Sequence, residues 1–180
     1  MTDDEAIIER VLDGDTEMFR ALLERYERPV VRMIANLIDD RHACEDLGQE
    51  VFLAAYRHLG SFDPARSSFS TWLFTIARNK SLNALKKRRV RPSDLPCEKG
   101  DVRLPGDALI EKEFYETLDK RLAALPTHQR TAFVLAELEE LPYETIAQIE
   151  GVQVGTVKSR VNRAKRKLRS LLIGTKGESA

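Results

Sequence analysis

The sequence predicts an all-α protein: two small helical domains joined by a flexible linker, the C-terminal one a helix-turn-helix. Three observations carry this. Apolar residues recur at spacings of three and four along almost the whole chain of 180 residues, and no stretch alternates with a period of two. One segment, 91–107, loses that periodicity and holds three of the seven prolines and two of the nine glycines. The stretch from Leu141 to Leu172 reads as a short helix, a tight turn at Gly151, and a second helix with one basic face. The expected divisions are a domain at 1–90, a linker at 91–107, a second domain at 108–173 and a tail at 174–180.

Thr2 and Glu5 predict a capping box for a first helix that ends near Gly14. Asp15 or Thr16 is expected to cap a second helix, FRALLERYERPVVRMIANLI, which Pro29 should kink or split. A third runs from about Asp40 to Leu59, with Ala43, Leu47, Val51, Ala54 and Ala55 inward, and Gly60 ends it. The segment SFDPARSS is a loop by composition, and Ser70 is expected to cap a fourth helix, TWLFTIARNKSLNALKKRR. Beyond the linker, helical periodicity returns from Ala108 to Leu125. Pro126 breaks it, Thr127 is expected to cap a helix to about Glu140, and Pro142 introduces the helix-turn-helix.

Composition narrows the function. Formal net charge is zero, which argues against a polycation that coats nucleic acid. The charge is distributed unevenly: residues 111–150 carry 4 basic and 9 acidic side chains, whereas Val154–Arg169 holds seven basic and no acidic ones. Such polarity suits a protein with one face for DNA and another for a protein partner. Cys44 and Cys97 form no CxxC pair, and with His42, His58 and His128 they show no metal-finger spacing, so no metal is expected and the thiols read as reduced. The acidic N-terminus is unlike a signal peptide, and no apolar run approaches the ~18 residues of a membrane span. A cytoplasmic protein without membrane insertion is expected, in which the Asn79-Lys80-Ser81 sequon is inert. No GxGxxG, P-loop, HExxH or GxSxG occurs, and adjacent Glu139 and Glu140 point ~100° apart on a helix. No cofactor, catalytic residue or enzymatic activity is expected.

Three groups of residues carry recognition chemistry. Asp46, Gln49 and Glu50 share one helical face beside Leu47 and Phe52, with Glu45, Asp39 and Asp40 extending the acidic field. By itself that pattern also fits a solvated helix side. Gly48, inside the same helix, either permits close approach or is simply tolerated at a cost of about 1 kcal/mol. Second, Phe62, Phe69, Trp72 and Phe74 precede a basic run from Ile76 to Arg91 with seven positive charges and no acid. Stacking rings beside a phosphate track suit unpaired bases, although Phe69 and Trp72 are expected to be core instead. Third, Val157, Val161, Ala164, Leu168 and Leu171 form a buried stripe on the last helix, with Ile146, Ala147, Ile149 and Val152 as its partners. Thr156, Lys158, Ser159, Asn162 and Arg163 lie on the opposite side, toward the N-terminal end that meets base edges when such a helix enters the major groove.

These residues resemble a known family. The order and spacing of Asp46-Leu47-x-Gln49-Glu50-x-Phe52, of Phe69-Ser70-Thr71-Trp72-Leu73 with Ile76-Ala77-x-Asn79, and of Leu125-Pro126-x-x-x-Arg130 with Tyr143-x-x-Ile146-Ala147 and Gly155-Thr156-Val157-Lys158-Ser159-Arg160 are similar to those of bacterial extracytoplasmic-function sigma factors. The resemblance covers residues 5–172. Gly48 departs from the pattern, where a larger residue is usual. The resemblance implies a promoter-specificity subunit of RNA polymerase. Asp46, Leu47, Gln49, Glu50 and Phe52 would dock on the clamp helices of the largest core subunit, and the second domain would meet the flap of the second largest. Phe62 and Asp63, in the loop Ser61–Ser68, would capture a flipped base of the −10 element. Asn79, Lys80 and Asn83 would line the same strand, and Lys86, Lys87, Arg88 and Arg89 would hold its backbone. Thr156, Lys158, Ser159, Asn162 and Arg163 would read the −35 element, with Arg160, Lys165 and Arg166 on phosphates. The linker would thread the polymerase, although a net charge of −1 over 91–110 also fits a passive tether. An anti-sigma protein is expected as a further partner. A repressor that binds DNA unaided would explain the C-terminal half alone.

Overall fold

The computed structural model describes residues 2–38, 40–90 and 121–173, and all regular structure among them is helical. The chain divides into two units, residues 1–100 and 101–180. The expected linker, the helix start near Ala108 and the tail lie outside the described residues.

In the first unit α1 spans Asp3–Leu12 and opens with the expected capping box: Thr2 Oγ1 accepts from the Glu5 amide at 3.3 Å, and Glu5 Oε2 accepts from the Thr2 amide at 3.0 Å. Its Ile7, Ile8 and Val11 are buried. Arg25 pairs with both Asp3 and Asp4, and the Tyr26 hydroxyl donates to Asp4 Oδ2 at 2.5 Å, fastening α1 to the next helix. Burial first, and then the bond to Asp4, push the Tyr26 phenol well above its ordinary value.

Helix α2, Phe19–Ala35, follows a 3₁₀ turn at Thr16–Met18. Neither Asp15 nor Thr16 caps it. Met18 holds the cap position without a side-chain bond, and Asp15 accepts from Arg10 Nη2 at 2.6 Å instead. The helix runs through Pro29 without splitting. An interior proline costs about 3 kcal/mol. Burial of Val30, Met33 and Ile34, at roughly 1.5–3 kcal/mol each, more than offsets it.

Helix α3, Arg41–Arg57, is capped by Asp40, whose Oδ1 accepts from the Ala43 amide at 3.2 Å. It ends at His58 rather than Gly60, which sits inside a 3₁₀ turn at Leu59–Ser61. Cys44, Leu47, Gly48, Val51, Phe52 and Ala55 are buried, whereas Ala43 and Ala54 are only half-buried. Helix α4, Phe69–Val90, is capped by Ser68, not Ser70: Ser68 Oγ accepts from the Thr71 amide at 3.2 Å. Helices α2, α3 and α4 pack on one another pairwise.

In the second unit residues 121–123 are helical, and Leu122 and Leu125 are buried. Pro126 takes the cap position of α5, Thr127–Phe133, so Thr127 is the first helical residue and caps nothing. The expected single helix to Glu140 widens into a π turn at Val134–Leu138 and stops, with Glu140 at φ 52°. Helix α6, Tyr143–Glu150, and α7, Val154–Ile173, complete the unit. Leu122, Leu125, Val134, Ala164 and Leu168 form its core, with Phe133 and Leu138 packed against them.

Gly48 settles its own alternatives. A Cβ built there would lie 3.3 Å from Val31 Cγ2, so the glycine lets α3 approach α2 closely. Gly48→Leu is therefore expected to cost about 1–3 kcal/mol by overpacking. Thermal unfolding of the full chain checks this, and an unchanged midpoint would contradict it.

Candidate functional site

The turn between α6 and α7 is built by Gly151, at φ 64° and ψ 40°, where a side chain would be strained. The Val152 amide donates to the Ala147 carbonyl at 3.0 Å and the Gly151 amide to the Gln148 carbonyl at 3.3 Å, closing a Schellman motif. Helix α7 begins at Val154. Val157, Val161, Ala164 and Leu168 are buried, and Leu171 is half-buried. Thr156, Lys158, Asn162, Arg163, Lys165 and Arg166 are exposed and Ser159 is half-buried, so one arc presents hydroxyls, an amide and cations to solvent. Of the expected partners of this stripe, Ile146, Ala147 and Ile149 are buried and Val152 is half-buried.

Two cations on α7 are engaged internally. Arg160 Nη1 donates to Glu150 Oε2 at 2.5 Å, and Lys165 Nζ lies 2.8 Å from Glu137 Oε2. The bond to Glu137 raises the Lys165 pKa above its ordinary value. Expected to hold phosphates, these two spend charge on the protein itself. The sequence reading missed Glu150. Its signal was an acid at the C-terminal end of a helix, where the macrodipole disfavours one, opposite a basic helix.

On α3, Asp46, Gln49 and Glu50 are exposed on one face. Leu47 and Phe52 are not: both are buried, because they share the inward side with Val51 and Ala55. The apolar groups on the outward side are Leu53, 48% exposed, and Tyr56, 41% exposed, whose ring packs edge-on against Phe19 at 5.1 Å. Leu53 lies seven residues beyond Asp46 and four beyond Gln49, so extending the acidic face by two turns finds it.

The loop before α4 is shaped by Asp63, whose Oδ1 accepts from the Ala65 amide at 2.9 Å. Phe62 is half-buried. Its ring lies 5.8 Å from Phe69 and 5.6 Å from Trp72. Phe69 is core and Trp72 half-buried. Along α4, Asn79, Asn83, Lys86 and Lys87 are exposed and Lys80 half-buried within one arc of the helix. The Arg88 and Arg89 side chains lie outside the described residues. The α3 and α4 faces meet where Lys80 Nζ lies 2.8 Å from Glu50 Oε2.

Comparison with known proteins places the chain in a class. Residues 22–91 match the family model of Sigma-70 region 2, and residues 115–168 match that of Sigma-70, region 4. RNA polymerase sigma-H factor of Pseudomonas aeruginosa is 36% identical over 90% of both chains. The extracytoplasmic-function factor SigW of Bacillus subtilis is 31% identical over 92% of this chain and 94% of its own. Among solved structures, the sigma factor RpoE of Bartonella quintana, in complex with the anti-sigma factor NepR, is 30% identical with a TM-score of 0.71 over 86% of this chain and 96% of its own. CnrH, in complex with the cytosolic domain of CnrY, shares the fold at a TM-score of 0.75 and 24% identity, covering 95% and 97% of the two chains. The chain belongs to the extracytoplasmic-function sigma factors of RNA polymerase.

Lys80 holds the Glu50 carboxyl below its ordinary value, by hydrogen bond first and by charge second, with Lys87 adding a smaller pull. A depressed folded value means that the pair's contribution is fully present above the ordinary glutamate value of 4.5 and is lost as pH falls through the lowered one. A carboxyl-detected NMR titration of Glu50 is expected to give a midpoint below 4.5, moving upward in Lys80→Met. An unshifted midpoint in the variant would rule out the pairing.

Proposed function

We propose that three surfaces divide the work of this sigma factor. The outward face of α3, Asp46, Gln49 and Glu50 with Leu53 and Tyr56, docks on the clamp helices of the largest polymerase subunit. Polar groups set register and encounter rate, while the exposed leucine and tyrosine supply apolar area that becomes buried on docking. The loop at Phe62 and Asp63 takes an unpaired base of the −10 element. Asn79 and Asn83 line that strand, with Lys86 and Lys87 along its backbone. In the second unit Thr156, Lys158, Ser159, Asn162 and Arg163 read −35 base edges, Arg166 holds phosphate, and the flap of the second-largest subunit is the protein contact. The factor acts in the cytoplasm without catalytic chemistry of its own. No helix among the described residues is long and apolar enough to cross a membrane. The relative from Bartonella quintana binds an anti-sigma factor, and a regulator of that kind would silence this chain by covering the same surfaces.

One observation carries the reading of α3. Its outward side holds three polar groups beside two exposed large apolar ones, 48% and 41% accessible, a combination that a merely solvated helix does not need. Replacing Gln49 and Glu50 together by Lys is expected to weaken assembly with core polymerase at least about tenfold by reversing the charge of that face. Circular dichroism should show helicity unchanged, because both side chains are exposed. Undiminished holoenzyme assembly in a pull-down would remove α3 from the interface.

A further inference from the structure

Helix α7 lies across α5 and α6 on a stripe of small and aliphatic side chains, Val157, Val161, Ala164 and Leu168. Such contact resists separation, but apolar attraction is non-directional and resists rolling about the helix axis only weakly. Rolling matters here. Residues are spaced about 100° apart around a helix, so a roll of a few tens of degrees turns Ser159, Asn162 and Arg163 away from any edge they address.

Two ion pairs stand on opposite flanks of the stripe. On one flank Arg160 meets Glu150, the last residue of α6, at 2.5 Å. On the other Lys165 meets Glu137, in the π turn, at 2.8 Å. The first is the stronger restraint. The Glu150 side chain is 1% exposed and that of Arg160 22%, so the carboxylate is cut off from water and strongly disfavours any setting of α7 that removes its cation. The pair also bridges the Gly151 turn, joining the end of α6 to the second turn of α7.

We propose that Glu150 and Arg160 are positioning residues for −35 recognition: their buried pair fixes the rotational setting of α7, and Arg160 is not a phosphate contact. This rests on the reading of α7 as the −35 helix. A guanidinium already neutralised by Glu150 displaces few DNA counterions, which separates this role from phosphate binding in a salt titration.

The test uses the full chain assembled with core polymerase, on the best −35 duplex from a random pool and on single-base variants of it. Glu150→Gln, nearly isosteric, is expected to lose discrimination among these duplexes by about tenfold, the size of one base contact; the salt slope is read in Arg160→Gln, where it should stay at the wild-type value. Arg160→Gln should match it, and the double variant should lose no more than either single one. Arg160→Lys, which keeps a cation within reach of Glu150, should recover most of the discrimination. Should Glu150→Gln fail to keep wild-type helicity, Glu150→Asp keeps the charge on a shorter arm, and an intermediate loss at constant slope is expected. Two results would overturn the inference alone: discrimination intact in Glu150→Gln, or a salt slope shallower by about one unit in Arg160→Gln, the mark of a lost phosphate ligand. Absence of discrimination by the wild-type holoenzyme would instead overturn the −35 reading, and the inference with it.

Discussion

A helix has one circumference, and each surface proposed here for recognition is what remains of it after the apolar stripe is buried. Helix α3 shows the division most plainly. Leu47, Gly48, Val51, Phe52 and Ala55 are committed to the first unit, which leaves Asp46, Gln49, Glu50, Leu53 and Tyr56 outward. Helix α7 divides the same way, with Val157, Val161, Ala164 and Leu168 inward and a polar, cationic arc outward. Packing therefore fixes what a partner can touch. A change on the inward side disturbs a surface without belonging to it.

Electrostatics follows this partition. The chain as a whole is neutral, yet its charges are sorted. Arg163 and Arg166, in mid-arc, face solvent, as does Lys158, whereas three other cations find acids on neighbouring elements: Arg160 with Glu150, Lys165 with Glu137, and Lys80 with Glu50. The exposed pairs contribute little to stability on their own. The buried one at Glu150 differs, because breaking it strands a charge away from water. A basic residue on such a helix is thus not automatically free for a partner, and the acids on neighbouring elements decide which cations are engaged.

Much of this was legible in the residues. Helical periodicity marked most elements, the Thr2–Glu5 pair announced a capping box that forms, and Gly151 announced a tight turn that forms, in the left-handed conformation. The family resemblance, resting on three motifs in order, agrees with the family to which the chain belongs. Local rules failed where tertiary packing outweighed them. Pro29 does not split α2, because Val30, Met33 and Ile34 just beyond it are completely buried. Ser68 caps α4 in place of Ser70, since a turn's start depends on backbone that sequence alone leaves open by a residue or two. The π turn after Phe133 has no compositional mark. For the surfaces, motif membership did not distinguish exposed from buried: it grouped Leu47 and Phe52 with Asp46 and passed over Leu53. The pairing of Arg160 was hidden because it depends on how two helices cross.

Run-off transcription from a pool of random promoters, with core polymerase and either the wild-type chain or Arg163→Ala, tests most directly the claim that two helical units share one promoter. The account predicts initiation only from templates carrying two separated elements, with the upstream one relaxed at a single position in the variant by a discrimination of about 1–3 kcal/mol. Transcripts without a shared upstream element, or an equal loss on every template in the variant, would contradict it.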